Sequence, residues 1–255
     1  MAVLNTFALT DRVALVTGGS RGIGRALARA LAEAGASVTL TARDGARADA
    51  VAAELADHGL PVAGAALDVT NGDQVDKVVD DLVTRHGRID VLVNNAGISV
   101  AATAFELTEP VFQSVLDTNL HGVWRCSVAA ARHMSRARRG TIVNIGSMSA
   151  TIVNRPRWQA PYLASKAAVH QLTRALAAEW APMGIRVNAL APGYILTEAS
   201  PVDQPEYRET CVEPAALKRW GTPEELGPAT VFLASDASSF ATGSIFVIDG
   251  GYTLF

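Results

Sequence analysis

The stretch TGGSRGIG, Thr17 to Gly24, is the strongest indication of fold in this 255-residue chain. It follows the apolar run VALV at 13–16 and opens into the helical pattern IGRALARALAEAG. A strand, a glycine-rich turn and a helix in this order are typical of a dinucleotide site. Gly18 allows the tight turn, while Gly22 and Gly24 let the backbone approach a pyrophosphate and let helix and strand pack closely. An ordinary strand–turn–helix joint is the alternative, and the flanking patterns favour the phosphate loop.

Short runs rich in valine and isoleucine alternate with alanine-rich segments of helical period along the chain. Near-continuous apolar strands are what a sheet buried on both faces requires. Strands are predicted at 13–17, 37–41, 61–67, 89–94, 141–145, 185–190 and 244–248, and helices at 23–34, 46–58, 72–86, 109–136, 160–182 and 223–235. The alternation predicts an α/β fold: a single Rossmann-type, doubly wound parallel sheet with helices on both faces.

One stretch departs from this alternation. Residues 194–219 contain prolines and several charges and show little periodicity, so we expect an insertion with up to two short helices that covers a substrate. No repeat or low-complexity linker divides the chain. Residues 1–255 are therefore predicted to form one dinucleotide-binding and catalytic domain. After the insertion, Thr222 reads as a helix N-cap, with proline next and Glu225 completing a capping box.

Composition excludes several functional classes. Hydrophobic residues make up 49% and charged residues 18%, which is typical of a compact enzyme rather than a disordered chain. A formal net charge of -3 provides no field to attract nucleic acid or an anionic membrane. Cys126 and Cys211 form no CxxC pair and the five histidines have no ligand spacing, so no metal is expected. We find no secretion signal and no apolar run of ~20 residues, which predicts a cytoplasmic protein.

Further motifs follow the phosphate loop in a fixed order. They are Asp68-Val69, NNAG at 94–97, Asn119, Ser147, YLASK at 162–166 and PGYILT at 192–197. With the spacing TGxxxGxG, this series resembles the short-chain dehydrogenase/reductase family over essentially the whole chain. The segment at 147–180 is similar to the sugar-alcohol dehydrogenases of the galactitol and sorbitol type, and to related carbonyl reductases. The resemblance implies an enzyme that uses NAD or NADP and usually forms a homotetramer or dimer.

Tyr162 and Lys166 are four residues apart in a predicted helix, so they share one face. A free tyrosine ionises near pH ~10 and is a poor base at neutral pH. A nearby ammonium group lowers that pKa, so Lys166 is expected to activate Tyr162 for proton transfer. The resemblance also implies that Lys166 holds the cofactor ribose. An amphipathic helix that happens to carry Tyr and Lys is the alternative, and the full set of motifs argues against it.

Ser147 directly follows the predicted strand TIVNI, at a strand end where α/β active sites form. Its hydroxyl can donate to a substrate oxygen that becomes more negative during reduction. Ser149 is a rival, because it lies 13 residues before Tyr162, a separation common in the family. We choose Ser147 and expect Ser149 to contact substrate. By resemblance, Asn119 holds a water that links Lys166 to solvent, the alternatives being a helix kink or a surface amide.

The resemblance also implies the contacts of the cofactor. The phosphate loop surrounds the pyrophosphate, the third strand end flanks the adenine, the fourth lies near the ribose and nicotinamide, and the sixth contacts the carboxamide. The implied residues are Gly18, Ser20, Arg21, Gly22, Ile23, Gly24, Arg43, Asp68, Val69, Asn95, Ala96, Gly97, Tyr162, Lys166, Pro192, Gly193, Ile195 and Thr197.

The end of the second strand, SVTLTARD, bears on cofactor choice. An NAD site places a carboxylate there to bind the ribose 2′-hydroxyl. Ala42 stands at that position, Arg43 follows it, and Arg21 can approach from the phosphate loop. Two guanidinium groups suit the 2′-phosphate of NADP(H), which the sequence favours over NAD(H). Asp44 could serve as the ribose acid instead, and we interpret it as the cap of the next helix.

The substrate is the least determined feature. By resemblance it is a secondary alcohol, and Asn154 in a lengthened loop has an amide able to bind a neighbouring hydroxyl, which suits a polyol or vicinal diol. Predicted substrate contacts are Ser149, Asn154, Trp158 and Tyr194. The alternatives are a reductase of simple ketones, keto esters or 3-oxoacyl thioesters, and a non-catalytic dinucleotide sensor or scaffold.

Overall fold

Seven parallel strands form one sheet at the centre of the protein. The structure is a computed structural model that describes residues 2–255. The strand order is β3-β2-β1-β4-β5-β6-β7. The strands are β1 Val13–Val16, β2 Ser37–Ala42, β3 Val62–Ala66, β4 Val91–Asn94, β5 Gly140–Ile145, β6 Ile185–Pro192 and β7 Ile245–Ile248. All seven predicted strands are therefore present, and the predicted fold class is confirmed.

Helices cover both faces of the sheet. They are α1 Gly22–Glu33, α2 Gly45–Asp57, α3 Gly72–His86, α4 Glu109–Leu116, α5 Gly122–Ala137, α6 Ala160–Trp180, α7 Pro205–Tyr207 and α8 Gly227–Ala234. The predicted helix at 109–136 is interrupted by a π turn, Asp117–His121. The predicted capping box precedes α8, where Thr222 caps the short 3-10 turn Pro223–Leu226.

Alternation along the strands divides the core into two layers. In β1, Ala14 and Val16 pack on one face with Leu27 and Leu31 of α1. Val13 and Leu15 point to the other face, towards the buried residues of α3, α5 and α6. The strand is therefore buried on both sides, which explains its apolar sequence.

Strands β1 and β4 are parallel, hydrogen-bonded neighbours. From β1 the chain adds β2 and β3 toward one edge of the sheet, and from β4 it adds β5, β6 and β7 toward the other edge. The connections that leave these two strands run to opposite sides, so a crevice opens at their carboxyl ends. The phosphate loop lines the crevice, and so does the first part of the insertion predicted at 194–219. That insertion contains α7 and the π turn Arg208–Val212, in agreement with the expected short helices.

Candidate active site

A cleft of about 910 Å³ opens at the carboxyl edge of the sheet. Its volume is at the upper end of the range typical of ligand sites, ~300–1,000 Å³. All but two of the residues predicted for the site line it. These are Gly18, Ser20, Arg21, Gly22, Ile23, Gly24, Arg43, Asp68, Val69, Asn95, Ala96, Gly97, Ser147, Ser149, Asn154, Tyr162, Lys166, Pro192, Gly193, Tyr194, Ile195 and Thr197.

The phosphate loop is held by polar contacts to the end of β4. The Thr17 hydroxyl accepts from the backbone N–H groups of Asn95 and Ala96, at 3.0 and 3.1 Å. The Asn95 amide donates to the carbonyl oxygens of Thr17 and Gly18, at 3.0 and 2.9 Å. The amide of Asn95 therefore supports the loop, a role that sequence reasoning did not assign to it. The structure adds Thr17 as a second anchor of the loop, through its hydroxyl.

The structure explains why two positions of the loop are glycine. Gly18 adopts φ +64°, a conformation that L side chains rarely take. A Cβ on Gly24 would lie 2.3 Å from the Asn95 amide nitrogen and from the Gly18 carbonyl oxygen, so any larger residue would force the loop open. The bare backbone at these positions leaves room for a ligand to approach.

The first turn of α1 presents its N–H groups to the cleft. It has no acidic residue, and the capping residue Arg21 makes no side-chain hydrogen bond to the helix. The helix dipole and the unpaired N–H groups suit an anion. A pyrophosphate therefore fits this end of the cleft, as the sequence predicted.

The three residues predicted for proton chemistry converge on one wall. Ser147 ends the segment that follows β5, while Tyr162 and Lys166 lie one turn apart on α6. The Lys166 ammonium donates to the Ile145 carbonyl oxygen at 2.6 Å and lies 5.7 Å from the centre of the Tyr162 ring. Burial lowers the pKa of Lys166 to about 8, so it still carries a charge at neutral pH.

The pKa of Tyr162 corrects one expectation. We predicted that Lys166 lowers it, yet in the structure burial of the phenol raises it above its ordinary value. Hydrogen bonding with Ser147 and the charge of Arg157 act in the opposite direction but do not compensate. The phenol is therefore protonated at neutral pH, the form that can donate a proton to a carbonyl oxygen.

The two serines are connected to each other. The backbone N–H of Ser149 donates to the Ser147 Oγ at 3.1 Å, and both side chains are buried at the cleft wall. The contact fixes the orientation of the Ser147 hydroxyl. Ser147 acts on the pKa of Tyr162 and Ser149 does not, which supports the choice of Ser147 over its rival.

Asn119 lies behind the cleft and does not line it. It sits in the π turn, fully buried, where its amide bonds the backbone of Ile98 in both directions, at 2.8 and 2.9 Å. It also donates to the Ser165 hydroxyl at 3.1 Å. The π turn directs this amide toward the segment after β4. The water relay to Lys166 stays a prediction.

Of the predicted substrate residues, Trp158 is misplaced. It is 47% exposed, lies outside the cleft lining and contributes its backbone carbonyl to Ala102 at 2.9 Å. Asn154 and Tyr194 do meet in the cleft, where the Asn154 amide donates to the Tyr194 hydroxyl at 2.9 Å. The tryptophan was proposed from its position in the loop, and the path of that loop turns the indole outward.

The far end of the cleft is rich in arginine. Arg21 and Arg43 line it as predicted, and Arg47 of α2, which sequence reasoning missed, lines it too. Glu198 lies 3.9 Å from Arg21 and 3.6 Å from Arg47, and all these groups are well exposed. Exposed pairs of this kind are weak, so a dianionic ligand can replace the carboxylate. The spacing of Arg47 from Asp44, one helical turn, is the signal that could have identified it.

Two acidic residues near these arginines have structural partners. Asp44 is the N-cap of α2 and accepts from the Arg47 backbone N–H at 3.3 Å, as we interpreted it from the sequence. Burial raises the pKa of Asp68, but the backbone and hydroxyl of Thr70 together with Arg43 outweigh it and hold the carboxylate ionised. Both carboxylates are thus bound to backbone or hydroxyl groups, and the arginines still line this end of the cleft.

Other kinds of site have no support within residues 2–255. No group of three or more His, Cys, Asp or Glu side chains in this range is placed to hold a metal ion. No helix in the described chain is long and apolar enough to cross a bilayer. The free thiols of Cys126 and Cys211 are both buried. The cleft, with an anion site at one end and a tyrosine–lysine pair at the other, is that of a nicotinamide-dependent oxidoreductase acting on CH–OH groups.

Comparison with known proteins agrees. A family profile described as enoyl-(acyl carrier protein) reductase matches residues 18–253. The chain is 43% identical over 251 residues, 97% of each protein, to galactitol 2-dehydrogenase (L-tagatose-forming) of Cereibacter sphaeroides. It is 40% identical to 3-oxoacyl-[acyl-carrier-protein] reductase of Synechocystis sp., over 97% of this chain and 99% of that one.

Solved structures are equally similar. Gluconate 5-dehydrogenase from Burkholderia cenocepacia, in complex with NADP and tartrate, superposes with a TM-score of 0.94 at 39% identity over 99% of each chain. The chain belongs to the short-chain dehydrogenase/reductase family. It is an NAD(P)-dependent enzyme that interconverts alcohols and ketones.

Proposed function

We propose that this enzyme interconverts the secondary alcohol of a polyol or vicinal diol and the corresponding ketone, with NADP(H) preferred to NAD(H). The observation that carries the proposal is the convergence of Ser147, Tyr162 and Lys166 at one end of a cleft whose other end gathers Arg21 and Arg43. The cofactor supplies or accepts the hydride when bound. The side chains must do the rest.

Tyr162 moves the proton. In the reductive direction its protonated phenol donates to the carbonyl oxygen, and in the oxidative direction the phenolate removes the alcohol proton. Ser147 lies beside it and can donate a hydrogen bond to the same substrate oxygen as negative charge develops. Because the Ser149 N–H holds the Ser147 oxygen, this donor is preorganised.

Lys166 is proposed to act on both Tyr162 and the cofactor. Its ammonium is anchored by the Ile145 carbonyl oxygen and leaves donors for a cofactor ribose. Asn119 shapes the neighbouring wall by holding Ile98, and we assign to it the water relay that the family resemblance implies.

A hydroxylated substrate fits the wall formed by Asn154. Its side chain is 5% exposed, and its Oδ1 atom has no hydrogen-bond partner within residues 2–255. A buried acceptor without a partner is costly, so a substrate hydroxyl that donates to it would be favoured. The relative from Cereibacter sphaeroides is a galactitol 2-dehydrogenase, which supports a polyol substrate for this chain as well.

A panel assay tests the proposal. The purified enzyme is incubated with polyols, vicinal diols, simple ketones, keto esters and a 3-oxoacyl thioester, with NADP(H) and NAD(H) in turn, and absorbance at the reduced-nicotinamide band is followed. We expect turnover with hydroxylated substrates and higher efficiency with NADP(H). Preference for the 3-oxoacyl thioester would favour the alternative that the Synechocystis relative represents. Cofactor binding without turnover of any compound would indicate a sensor or scaffold.

Segment 194–219 is proposed to close over the substrate. Backbone bonds at its base, between Tyr194, Leu196 and Gly221, hold its two ends together, while Asn154 and Arg157 contact its tyrosines. We expect slower hydrogen exchange in this segment when cofactor and substrate are bound, measured by mass spectrometry. Strands β4 and β5 serve as the internal control. Equal protection with and without ligands would contradict closure.

We also propose that the protein is a homo-oligomer, a tetramer or dimer, in the cytoplasm. Large apolar side chains are exposed at Phe112 on α4, Trp124 on α5, Val247 on β7 and the C-terminal Phe255. Apolar surface of this kind is typical of subunit interfaces. Size-exclusion chromatography with light scattering should give a mass of two or four chains of 26.7 kDa, and a monomeric mass would refute the assembly.

A further inference from the structure

Arg157 is an unassigned cation at the reacting end of the cleft. It lines the cleft and is only partly exposed. None of the ion pairs formed within residues 2–255 involves it. By contrast, Arg21 and Arg47 at the other end both approach Glu198. Without a carboxylate partner, this guanidinium keeps its donors for a negatively charged ligand that enters the cleft.

Arg157 has one close contact and one electrostatic effect within the cleft. Its guanidinium carbon lies 5.6 Å from the centre of the Tyr207 ring, in the covering segment, an arrangement that orients a planar cation over an aromatic face. Its charge also acts on Tyr162, whose pKa burial raises and Arg157 in part lowers. The guanidinium therefore lines the same cleft as Tyr162 and takes no part in the pairs that Arg21 and Arg47 form with Glu198.

Asn154 offers the complementary group three residues earlier in the same loop. Its Nδ2 is engaged by Tyr194, while Oδ1 is buried without a partner and can only accept. Arg157 can only donate, and its planar fork matches the two oxygens of a carboxylate. A molecule that satisfies both groups carries a hydroxyl for Asn154 and a carboxylate for Arg157.

We propose that Arg157 binds the carboxylate of the substrate, so that the preferred substrates are polyhydroxylated carboxylic acids and their keto acids rather than neutral polyols. This inference rests on the proposed function and narrows its substrate class. Asn154 accepts from a hydroxyl of the same molecule, and the secondary alcohol is presented to Tyr162 and Ser147. Arg157 is thereby a specificity residue that takes no part in proton transfer.

Matched substrate pairs test the inference. Values of kcat/KM with NADP+ are measured for gluconate against glucitol and for galactonate against galactitol, each pair having the same carbon chain. We expect the acid of a pair to be preferred, and Arg157→Gln to reduce the acid-to-alcohol ratio about tenfold or more, the loss of one charge-assisted contact. Arg157→Lys should retain part of the preference. The ratio is used because any effect of the charge on Tyr162 acts on both members equally.

Arg155→Gln is the matched control. Arg155 lies in the same loop, is exposed and does not line the cleft, so its replacement should leave the ratio unchanged. A neutral alcohol preferred over its acid, or an acid-to-alcohol ratio that Arg157→Gln does not alter, would overturn the inference while leaving the proposed function intact.

A binding measurement distinguishes an error in the Arg157 anion site from an error in the proposed oxidoreductase activity. Calorimetry compares L-tartrate with L-threitol, which share four carbons and two vicinal hydroxyls, on the protein saturated with NADP+. We expect tartrate to bind at least about tenfold more tightly, and Arg157→Gln to abolish the difference. Such binding without turnover of any panel compound, of gluconate or of galactonate would support the anion site and reject the proposed activity. Equal affinities for the two compounds would reject the anion site.

Discussion

Tyr162→Phe is expected to reduce turnover by ~10²–10⁴ while cofactor binding and fold are retained. The substitution removes only the hydroxyl, which is the one group in the cleft placed to transfer the proton beside Ser147. The ring stays, so the packing of this position of α6 is preserved. Turnover with the best compound of the panel is the measurement, together with the dissociation constant of NADPH by fluorescence.

The pH profile provides a second reading of the same variant. Burial raises the pKa of Tyr162 above its ordinary 10.0, so the phenolate needed for oxidation becomes more populated as pH rises. Alcohol oxidation by the parent should accelerate from neutral pH toward that pKa, and Tyr162→Phe should lose this dependence. Tyr252→Phe is the control, because its hydroxyl donates to the Thr210 carbonyl outside the cleft. Activity of Tyr162→Phe within twofold of the parent would remove Tyr162 from the mechanism.

Arg43→Ala should lower kcat/KM with NADPH by roughly 10–150-fold and change the value with NADH little, since hydrogen bonds to charged groups contribute ~1.5–3 kcal/mol each. The reason is the arginine-rich cleft end, where Arg43 follows Ala42 and no carboxylate replaces it as ribose partner. Asp44, the acid that could have favoured NAD, caps α2.

Arg29→Ala is the matched control for this variant. Arg29 lies on α1, pairs with Glu33 and does not line the cleft. Its replacement therefore removes one positive charge without removing a phosphate contact. A parent enzyme that prefers NADH, or an Arg43→Ala variant that loses both cofactors equally, would show that the arginine end does not bind a 2′-phosphate.

Patterns of neighbouring residues in the sequence were sufficient to predict the strands, the phosphate loop and the tyrosine–lysine pair of the site. Apolar runs and helical periods predicted every strand, because each segment carries its own preference and its burial pattern. The glycine spacing after β1 predicted the phosphate loop, and the spacing of Tyr162 and Lys166 placed both on one face of α6. These features depend on residues close in sequence.

Contacts between distant residues decided what the pattern could not. Tyr162 has a raised pKa because several elements bury it, although its neighbour Lys166 predicted a lowered one. The π turn at Asn119 interrupts a helix that was predicted as continuous, since the amide is committed to Ile98, 21 residues away. Neither result follows from helical spacing.

The fold, the nicotinamide cleft and the tyrosine–lysine pair, which define the class of this protein, all follow from motifs that are local in the chain. The surroundings of the substrate depend instead on how the chain packs in three dimensions, which the folded structure shows. That packing turned Trp158 outward, placed Arg157 in the cleft lining and over Tyr207, and left the Oδ1 atom of Asn154 buried without a partner. The physical reason is that loop paths are set by packing against remote elements, whereas strands, helices and glycine turns are set largely by their own residues.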